Sequence, residues 1–317
     1  MTAMAWTTKD IPDQSGRTAV VTGANGGLGL ETTKALAAAG ATVVVAARDP
    51  AKTTAAVAAI ASSTPGADLD VVAVDLGALE SVREAAATIL GRHDRIDILV
   101  NNAGLMAIPE RSTADGFEMQ LGVNHLGHFV LTARLLPAVL RAGGRVVAVT
   151  STAHHIGRRI DDANPHLHGR YKPWRSYGQS KLANYHFAIG LHRKLQHAGA
   201  TAASLLAHPG LSNTELQSHS ASESGGASQR LSQVLAERTG MSPSQGALPQ
   251  LRAATDPSAR SGQFFAPRFV NSGPPVRRPI LRRVGMSRSI ERMWEVSERE
   301  TGEPFDVAMA LVAATDA

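Results

Sequence analysis

Short apolar runs alternate along the chain with segments that have helical periodicity. The apolar runs lie at 17–22, 43–47, 71–74, 96–100, 145–150, 200–207 and 263–265. Segments with apolar residues three and four positions apart lie between them, at 28–39, 79–91, 113–141 and 176–197, and an alanine-rich segment follows Pro50. Strands that are apolar throughout are typical of a parallel sheet with helices on both faces. The pattern therefore predicts an α/β fold, a doubly wound parallel sheet of about seven strands in a single three-layer domain.

Two segments interrupt this alternation, 154–175 and 212–242, and the second is rich in Ser, Gly and Gln. We interpret the first as an insertion and the second as a flap on the substrate side, rather than as linkers between domains. The chain has no internal repeat. One domain is predicted over residues 14–305, with terminal extensions at 1–13 and 306–317.

The composition is that of a globular protein, with 43% hydrophobic and 19% charged residues. The chain has no cysteine, which excludes disulfides, cysteine nucleophiles and thiolate metal sites. No apolar run approaches the ~18 residues of a membrane span, and the first residues lack the apolar core of a secretion signal. We therefore expect a soluble, cytoplasmic protein without a membrane span.

The net charge of +5 is mild, but arginines concentrate late in the chain, at Arg277, Arg278, Arg282, Arg283 and Arg288. One interpretation is a basic surface for nucleic acid or anionic lipid. The other is a solvated edge, which the scarcity of aromatic residues nearby favours. We expect a small-molecule substrate as the partner and no nucleic acid.

A glycine-rich turn joins the first predicted strand to the first predicted helix. Its glycines are Gly23, Gly27 and Gly29, and Asn25 and Leu28 lie among them. Many glycine-rich turns are purely structural. At a strand–helix junction, however, glycines let a pyrophosphate approach the free N–H groups and the positive dipole end of the helix. The position of this turn predicts dinucleotide binding.

The second strand is followed by Arg48 and Asp49. An acidic side chain at this strand end binds the ribose 2′-hydroxyl of NAD, whereas an arginine binds the 2′-phosphate of NADP through charge-assisted hydrogen bonds. Arg48 therefore favours NADP, with NAD as the lesser expectation. Two alternatives stay open. Arg48 could be a solvated residue before a helix that Asp49 caps, or Asp49 could bind the ribose.

Tyr177 and Lys181 lie four positions apart in a predicted helix, and hence on one face of it. A fixed ammonium beside a phenol favours the phenolate, so this tyrosine could transfer a proton near neutral pH. The spacing alone is also typical of a solvated helix face. Ser151 follows the fifth strand, at the edge where open α/β sheets bind ligands, or else it caps a turn. Asn124 alone fits a buried, satisfied amide equally well.

Taken in order along the chain, these features resemble the short-chain dehydrogenase/reductase family over residues 14–305. The motifs that carry the resemblance are the glycine turn, 97–104, Asn124, Ser151, the Tyr177/Lys181 pair and Pro209-Gly210-x-x-x-Thr214. Further segments are similar to the retinol-dehydrogenase-like and protochlorophyllide-reductase-like branch, at 123–129, 180–184, 208–210, 246–257 and 293–298. The resemblance implies a Rossmann fold that binds NAD(P).

The resemblance also implies a role for each matching residue. Tyr177 is implied as the proton donor and acceptor, Lys181 as the residue that tunes its pKa and binds the nicotinamide ribose, and Ser151 as the hydroxyl that holds the substrate oxygen. Asn124 is implied to order a water on the proton relay to Lys181. The other implied cofactor contacts, which include the adenine, the adenosine ribose and the nicotinamide, are Asp75, Leu76, Asn101, Ala103, Gly104, Pro209, Gly210 and Thr214.

The activity implied by the resemblance is the NADP(H)-dependent interconversion of an alcohol and a carbonyl compound by hydride transfer. A lipophilic, retinol-like substrate follows by analogy. Reduction of a C=C bond, as in protochlorophyllide reduction, and a cofactor-sensing protein without turnover are the alternatives. Trp174 either faces the substrate or packs in the core.

Neither a metal site nor a particular oligomer follows from the residues themselves. The histidines are irregularly spaced, and hydride transfer to a carbonyl needs no metal, so we expect none. The family implies a homodimer or a homotetramer.

The chain departs from the family pattern in three places. The interval between Ser151 and Tyr177 is longer than in compact members, so the insertion at 154–175 is expected at the mouth of the site, where it could alter subunit contacts. Gly26 stands near the position at which many NADP-preferring relatives carry a basic residue, which leaves the phosphate prediction to Arg48. We also expect no N-terminal membrane anchor of the kind that some retinol-oxidising relatives carry.

Overall fold

Eight strands form one sheet in the computed structural model, which describes residues 5–211, 241–281 and 284–315. They are β1 (Thr18–Thr22), β2 (Thr42–Ala47), β3 (Leu69–Ala73), β4 (Ile98–Asn101), β5 (Arg145–Val149), β6 (Ala203–Ala207), β7 (Phe264–Pro267) and β8 (Pro275–Arg278). Their order in the sheet is β3-β2-β1-β4-β5-β6-β7-β8. All neighbours are parallel except β7 and β8. The predicted α/β fold with a doubly wound parallel sheet is confirmed, and the pairing of β7 with β8 is the antiparallel addition to it.

The seven predicted strands all form, and β8 is an additional strand that the apolar pattern missed. Its sequence is Pro-Val-Arg-Arg, and only Pro275 is fully buried. An antiparallel edge strand need not be apolar throughout, because only part of it faces the core. Two of the late arginines, Arg277 and Arg278, stand on this edge strand, whereas Arg282 and Arg283 lie outside the described residues.

Helices cover both faces of the sheet. They are α1 (Gly27–Ala38), α2 (Pro50–Ser63), α3 (Leu79–Arg92), α4 (Gly127–Ala142), α5 (Pro173–His197), α6 (Pro243–Thr255), α7 (Met286–Thr301) and α8 (Val307–Thr315). Successive strand residues point to opposite faces, so Val20 enters the core under α3, α4, α5 and α7, and Val21 enters the core under α1 and α6. Among the described residues, no helix combines the length and the apolar character needed to cross a membrane.

The long helix predicted over 113–141 begins later than predicted. Ser112 pairs with Glu118 across a tight turn, and a single helical turn, Met119–Leu121, then leads into a π-helical segment, Gly122–Leu126, and into α4. The Glu118 carboxylate accepts hydrogen bonds from the N–H groups of Gln120 and Leu121, so it caps the helix at this point. The prediction was wrong for 113–118 because apolar spacing does not detect a cap.

The insertion at 154–175 is tied to two helices. It opens within a 3₁₀ turn, Thr152–His155, and continues irregularly to α5. The Gln179 amide of α5 donates to the carbonyl of Pro165 at 2.7 Å, and His166 Nε2 lies 2.9 Å from a carboxylate oxygen of Glu300 in α7. Of the predicted flap at 212–242, residues 212–240 lie outside the described residues.

An aromatic cluster packs α7 and the connection that follows it against α4 and α5. The Trp294 ring of α7 stacks on Phe187 with 5.3 Å between centroids, and it lies 5.2 Å from Phe129 and 4.7 Å from Phe305. Such a buried cluster contributes both apolar area and favourable ring geometry. Trp294 is therefore part of the hydrophobic core against which α5 packs.

Candidate active site

A cavity of about 340 Å³ opens at the carboxyl ends of β1, β2 and β4. In the sheet β1 lies between β2 and β4, and open α/β sheets bind ligands where the strand order reverses in this way. Most of the predicted cofactor contacts line this cavity together. They are Gly23, Asn25, Gly27, Leu28, Gly29, Arg48, Asp75, Leu76, Ala103, Gly104, Tyr177, Lys181 and Pro209.

The glycine turn is shaped for a close approach of the backbone to a ligand. Gly23 has φ +64°, and a Cβ on Gly29 would collide with the carbonyl oxygen of Gly23. α1 begins at Gly27 without a side-chain cap, so its first N–H groups are free to bind an anion at the cavity. These residues fit the pyrophosphate of a dinucleotide.

Two cationic side chains stand at the far end of the cavity, beyond the end of β2. Arg48 lies 3.7 Å from Asp75, but its side chain is 71% exposed, so this ion pair is weak and leaves the guanidinium free to turn toward a ligand. Asp49 caps α2, because its carboxylate accepts the Lys52 N–H at 3.1 Å. Lys52, which the sequence pattern does not single out, also lines the cavity.

Tyr177 and Lys181 enter the cavity from α5, one helical turn apart. Both are buried, at 5% and 4% exposure, and Lys181 Nζ donates to the carbonyl of Val149 at 3.3 Å. Burial lowers the pKa of Lys181 to about 8. Burial also raises the pKa of Tyr177, against a smaller lowering by a hydrogen bond with Ser151. The expectation that this phenol is easier to ionise is thus wrong for the protein without cofactor, because burial outweighs the hydrogen bond with Ser151 and keeps the pKa of Tyr177 raised.

Ser151 stands directly after β5, and both interpretations of it apply. Its hydroxyl oxygen accepts the N–H of Ala153 at 3.2 Å and so caps the short 3₁₀ turn. The same hydroxyl is within hydrogen-bonding reach of the Tyr177 phenol. Capping fixes the oxygen of Ser151 beside the tyrosine.

Asn124 lies in the π-helical segment, and π-helical turns are frequent at functional sites. Its amide exchanges two hydrogen bonds with the backbone of Leu105, at 2.6 and 2.9 Å, and also donates to Ser180 at 2.9 Å. A Cβ on Gly104 would lie 3.1 Å from the Asn124 amide oxygen and 3.3 Å from Lys181 Nζ. Asn124 thereby holds the chain that runs past Lys181, while its relay water stays a prediction.

A buried histidine, His128, fixes the π-helical segment to the rest of the site. His128 Nδ1 donates to the carbonyl of Asn124 at 3.1 Å, and its Nε2 lies 2.8 Å from the hydroxyl of Thr22 at the end of β1. Burial lowers the pKa of His128 to about 4, so the ring is neutral and its Nε2 accepts from Thr22. This arrangement connects the glycine turn to the backbone of Asn124.

A second buried chain of polar groups reaches from α7 to Lys181. Ser297 donates its hydroxyl hydrogen to Met293, so it must accept from His125 Nε2, which lies 2.8 Å away. A hydrogen bond with Asn184 raises the pKa of His125, but burial outweighs it and lowers that pKa to about 3. Asn184 in turn donates to the carbonyl of Val149, which also accepts from Lys181. The sequence could not reveal these contacts, because Ser297 lies far along the chain from all the others.

Two predicted contacts, Asn101 and Gly210, do not line the cavity. The Asn101 side chain is buried away from it and donates to Thr132 at 2.9 Å, and the following residue, Asn102, lines the cavity instead. Gly210 is also absent from the lining, and Thr214 lies outside the described residues. No cluster of three or more His, Asp or Glu side chains suited to a metal ion occurs in the ranges that the structure describes.

A family model of short chain dehydrogenases matches residues 17–225. The chain belongs to the short-chain dehydrogenase family. Human retinol dehydrogenase 13 is 44% identical over 206 residues, which are 64% of this chain and 61% of that protein. Mouse polyprenol dehydrogenase is 44% identical over 217 residues, which are 66% of this chain and 64% of that protein. The chain thus spans less than two thirds of the length of these family relatives, and their similarity supports the retinol-dehydrogenase-like branch.

Solved structures of other proteins share the family's fold. A crystal structure from Mycobacterium paratuberculosis is 38% identical and superimposes with a TM-score of 0.78, covering 95% of this chain and 99% of that one. A structure from Beutenbergia cavernae, which contains NADP at low occupancy, is 25% identical with a TM-score of 0.63 and covers 80% and 96% of the two chains. Family membership implies an oxidoreductase fold that binds NAD(P), without deciding between NAD and NADP.

Proposed function

We propose that this chain is an NADP(H)-dependent oxidoreductase that interconverts a lipophilic alcohol and the corresponding aldehyde or ketone. The proposal rests mainly on one observation. Tyr177 and Lys181 line the same cavity as the glycine turn, with Ser151 in hydrogen-bonding reach of the phenol. The cavity therefore contains a proton donor, a neighbouring cation and a turn suited to a dinucleotide.

A bound nicotinamide supplies or accepts the hydride in such a reaction. In the direction of reduction, the hydroxyls of Ser151 and Tyr177 donate to the carbonyl oxygen, where negative charge develops. Tyr177 then passes its proton to this oxygen and becomes a phenolate. The Lys181 ammonium stabilises that phenolate, because opposite charges attract strongly in a buried site. Asn124 holds the chain beside Lys181 and orders the water that returns a proton.

Arg48 and Lys52 support NADP as the cofactor. Both line the cavity at the end of β2, where the 2′ position of the adenosine ribose is bound in this kind of fold. A phosphate there gains charge-assisted hydrogen bonds. Asp49, the acidic residue at the end of β2 that could bind a ribose hydroxyl instead, already caps α2.

Trp174 supports a lipophilic substrate. Its side chain is 51% exposed, and its ring meets the edge of the Tyr177 ring with 6.0 Å between centroids. An indole beside the proton donor offers apolar area to whatever binds there. The names of the relatives, retinol dehydrogenase and polyprenol dehydrogenase, point to alcohols of the same apolar character.

The test is NADPH oxidation by the purified full chain with propanal, octanal, decanal and trans-2-decenal, followed by product analysis. We expect kcat/KM to rise with chain length, and trans-2-decenal to give the allylic alcohol. Trp174→Ala should remove most of the preference for decanal over propanal. Conversion of trans-2-decenal to decanal would instead identify a C=C reductase. Tight binding of NADPH without turnover of any aldehyde would identify a cofactor-sensing protein.

A further inference from the structure

A second cavity, of about 350 Å³, lies where the residues after Ser151 meet α5 and the start of α7. It shares no lining residue with the nucleotide cavity, although α5 separates the two so closely that Lys181 lines one and Leu182 the other. Its volume is in the range of small-molecule sites. The proposed reaction makes no use of it.

The lining of this second cavity combines basic and apolar side chains. The basic side chains are Arg158, Arg159, His154, His155 and His186, and the apolar ones include Leu182, Leu281 and Met286. The lining contains neither Asp nor Glu. A ligand that matches both kinds of side chain carries an anionic group and an apolar body.

The two arginines are the strongest recognition groups in this cavity. Arg159 donates from Nη2 to the carbonyl of Val284 at 2.7 Å, which leaves the other N–H groups of its planar guanidinium for a ligand. Neither Arg158 nor Arg159 forms an ion pair with a carboxylate in the part of the chain that the structure describes. Arginine presents paired N–H donors that match a carboxylate or a phosphate, so an anion here gains charge-assisted hydrogen bonds.

We propose that this second cavity binds an organic anion with an apolar chain, of which a medium-chain carboxylate is the simplest form. The anionic group pairs with Arg158 and Arg159, and the chain lies against Leu182 and Met286. The site is separate from the nucleotide cavity, so the anion and NADPH bind together. This inference is independent of the proposed catalytic function.

The cavity also adjoins a residue that is fixed to the catalytic serine. His154 lines it, is buried, and stacks on Tyr185 with 4.5 Å between ring centroids. Both the main-chain N–H and the Nδ1 atom of His154 contact the carbonyl oxygen of Ser151. A bound anion therefore touches the segment that positions Ser151.

The experiment is calorimetric titration of the purified full chain with decanoate, and with decanol as the neutral match of equal length. We expect one decanoate per chain, at least about tenfold tighter than decanol, with the same Kd in the presence of saturating NADPH. The double variant Arg158→Ala/Arg159→Ala should weaken decanoate binding about tenfold or more, and leave the Kd of NADPH unchanged. The control is Arg288→Ala, an exposed arginine of α7 outside the lining, with an expected change under about twofold.

Four results would overturn the proposal. They are the absence of decanoate binding, equal binding of decanol, an unchanged Kd in the double variant, and displacement of decanoate by NADPH. The last result would place the carboxylate in the nucleotide cavity. None of the four bears on aldehyde turnover, so the two proposals fail independently.

Discussion

Lys181 Nζ lies 5.8 Å from the centre of the Tyr177 ring, and the two side chains are buried together on one face of α5. Burial opposes both of their charges, since it lowers the pKa of the lysine and raises that of the tyrosine. A phenolate and an ammonium formed side by side offset this cost through their attraction. The pair is thus suited to a charge that exists only while a proton is being transferred.

We expect Lys181→Met to stabilise the protein without cofactor at pH 7. The pKa of Lys181 is about 8 in the folded protein, whereas its ordinary value is 10.5. Between these two pH values the unfolded chain binds more protons than the folded one, so the stability of the wild type rises with pH in this range. Below pH 8 the lysine is charged in the folded protein as well, and the full cost of burying that charge lowers the stability. Urea denaturation at pH 7 should show a gain of about 1–3 kcal/mol for the variant, shrinking by pH 10. A less stable variant at pH 7, or a difference independent of pH, would contradict this.

The buried histidines predict a loss of stability in weak acid. Burial lowers the pKa values of His125 and His208 to about 3 and of His128 to about 4, whereas the ordinary value is 6.5. The unfolded chain binds more protons below 6.5, so stability falls as pH drops from there toward 4. Free energies of unfolding measured at pH 7, 6 and 5 give the slope of stability against pH, which equals the number of protons taken up on unfolding. His128→Gln should lower that number by up to one. His197→Gln changes an exposed histidine, serves as the control, and should leave the slope unchanged.

Ser297→Ala should destabilise the protein although it removes a single oxygen atom. The substitution leaves the Nε2–H donor of His125 buried without an acceptor, which costs about 1–3 kcal/mol. Ser63→Ala at the exposed end of α2 removes a comparable hydroxyl and should cost less than about 0.5 kcal/mol. If urea denaturation gave the same loss of stability for both variants, the hydrogen bond between His125 and Ser297 would contribute no more than an exposed one.

Arg48→Ala should weaken NADPH binding and spare NADH. The guanidinium is exposed and paired only weakly with Asp75, so its main loss is the contact with a 2′-phosphate, which is worth about 10–100-fold in Kd. Fluorescence titration of wild type and variant with both cofactors measures the ratio, and NADH is the internal control. An equal loss for both cofactors would mean that Arg48 supports the fold or the adenine rather than the phosphate.

The sequence predicted the strands and the glycine turn because buried parallel strands are apolar throughout and the turn is local. It missed β8, where only part of an edge strand is buried, and it placed the start of the helix before Asn124 too early. It also assigned Asn101 to the cavity. β4 extends to Asn101, whose side chain points into the core, and the next residue faces the ligand edge. A one-residue uncertainty at a strand end reverses the side-chain direction.

Other features of the site depend on the three-dimensional packing. The spacing of Tyr177 and Lys181 indicates that the side chains are neighbours, but it does not indicate their burial, which sets the direction of both pKa shifts. The contact of His125 with Ser297 joins distant parts of the chain. Lys52 could have been suspected, since it lies one turn into the helix that follows Arg48.

The central claim is that Tyr177 transfers the proton, and Tyr177→Phe tests it most directly. Tyr171→Phe is the matched control, because the Tyr171 hydroxyl contacts Gln120 and the carbonyl of Ile108 rather than the nucleotide cavity. Steady-state NADPH oxidation with decanal should fall about 10²–10⁴-fold in Tyr177→Phe, with the Kd of NADPH retained and Tyr171→Phe close to wild type. Turnover by Tyr177→Phe at the wild-type rate would contradict the account.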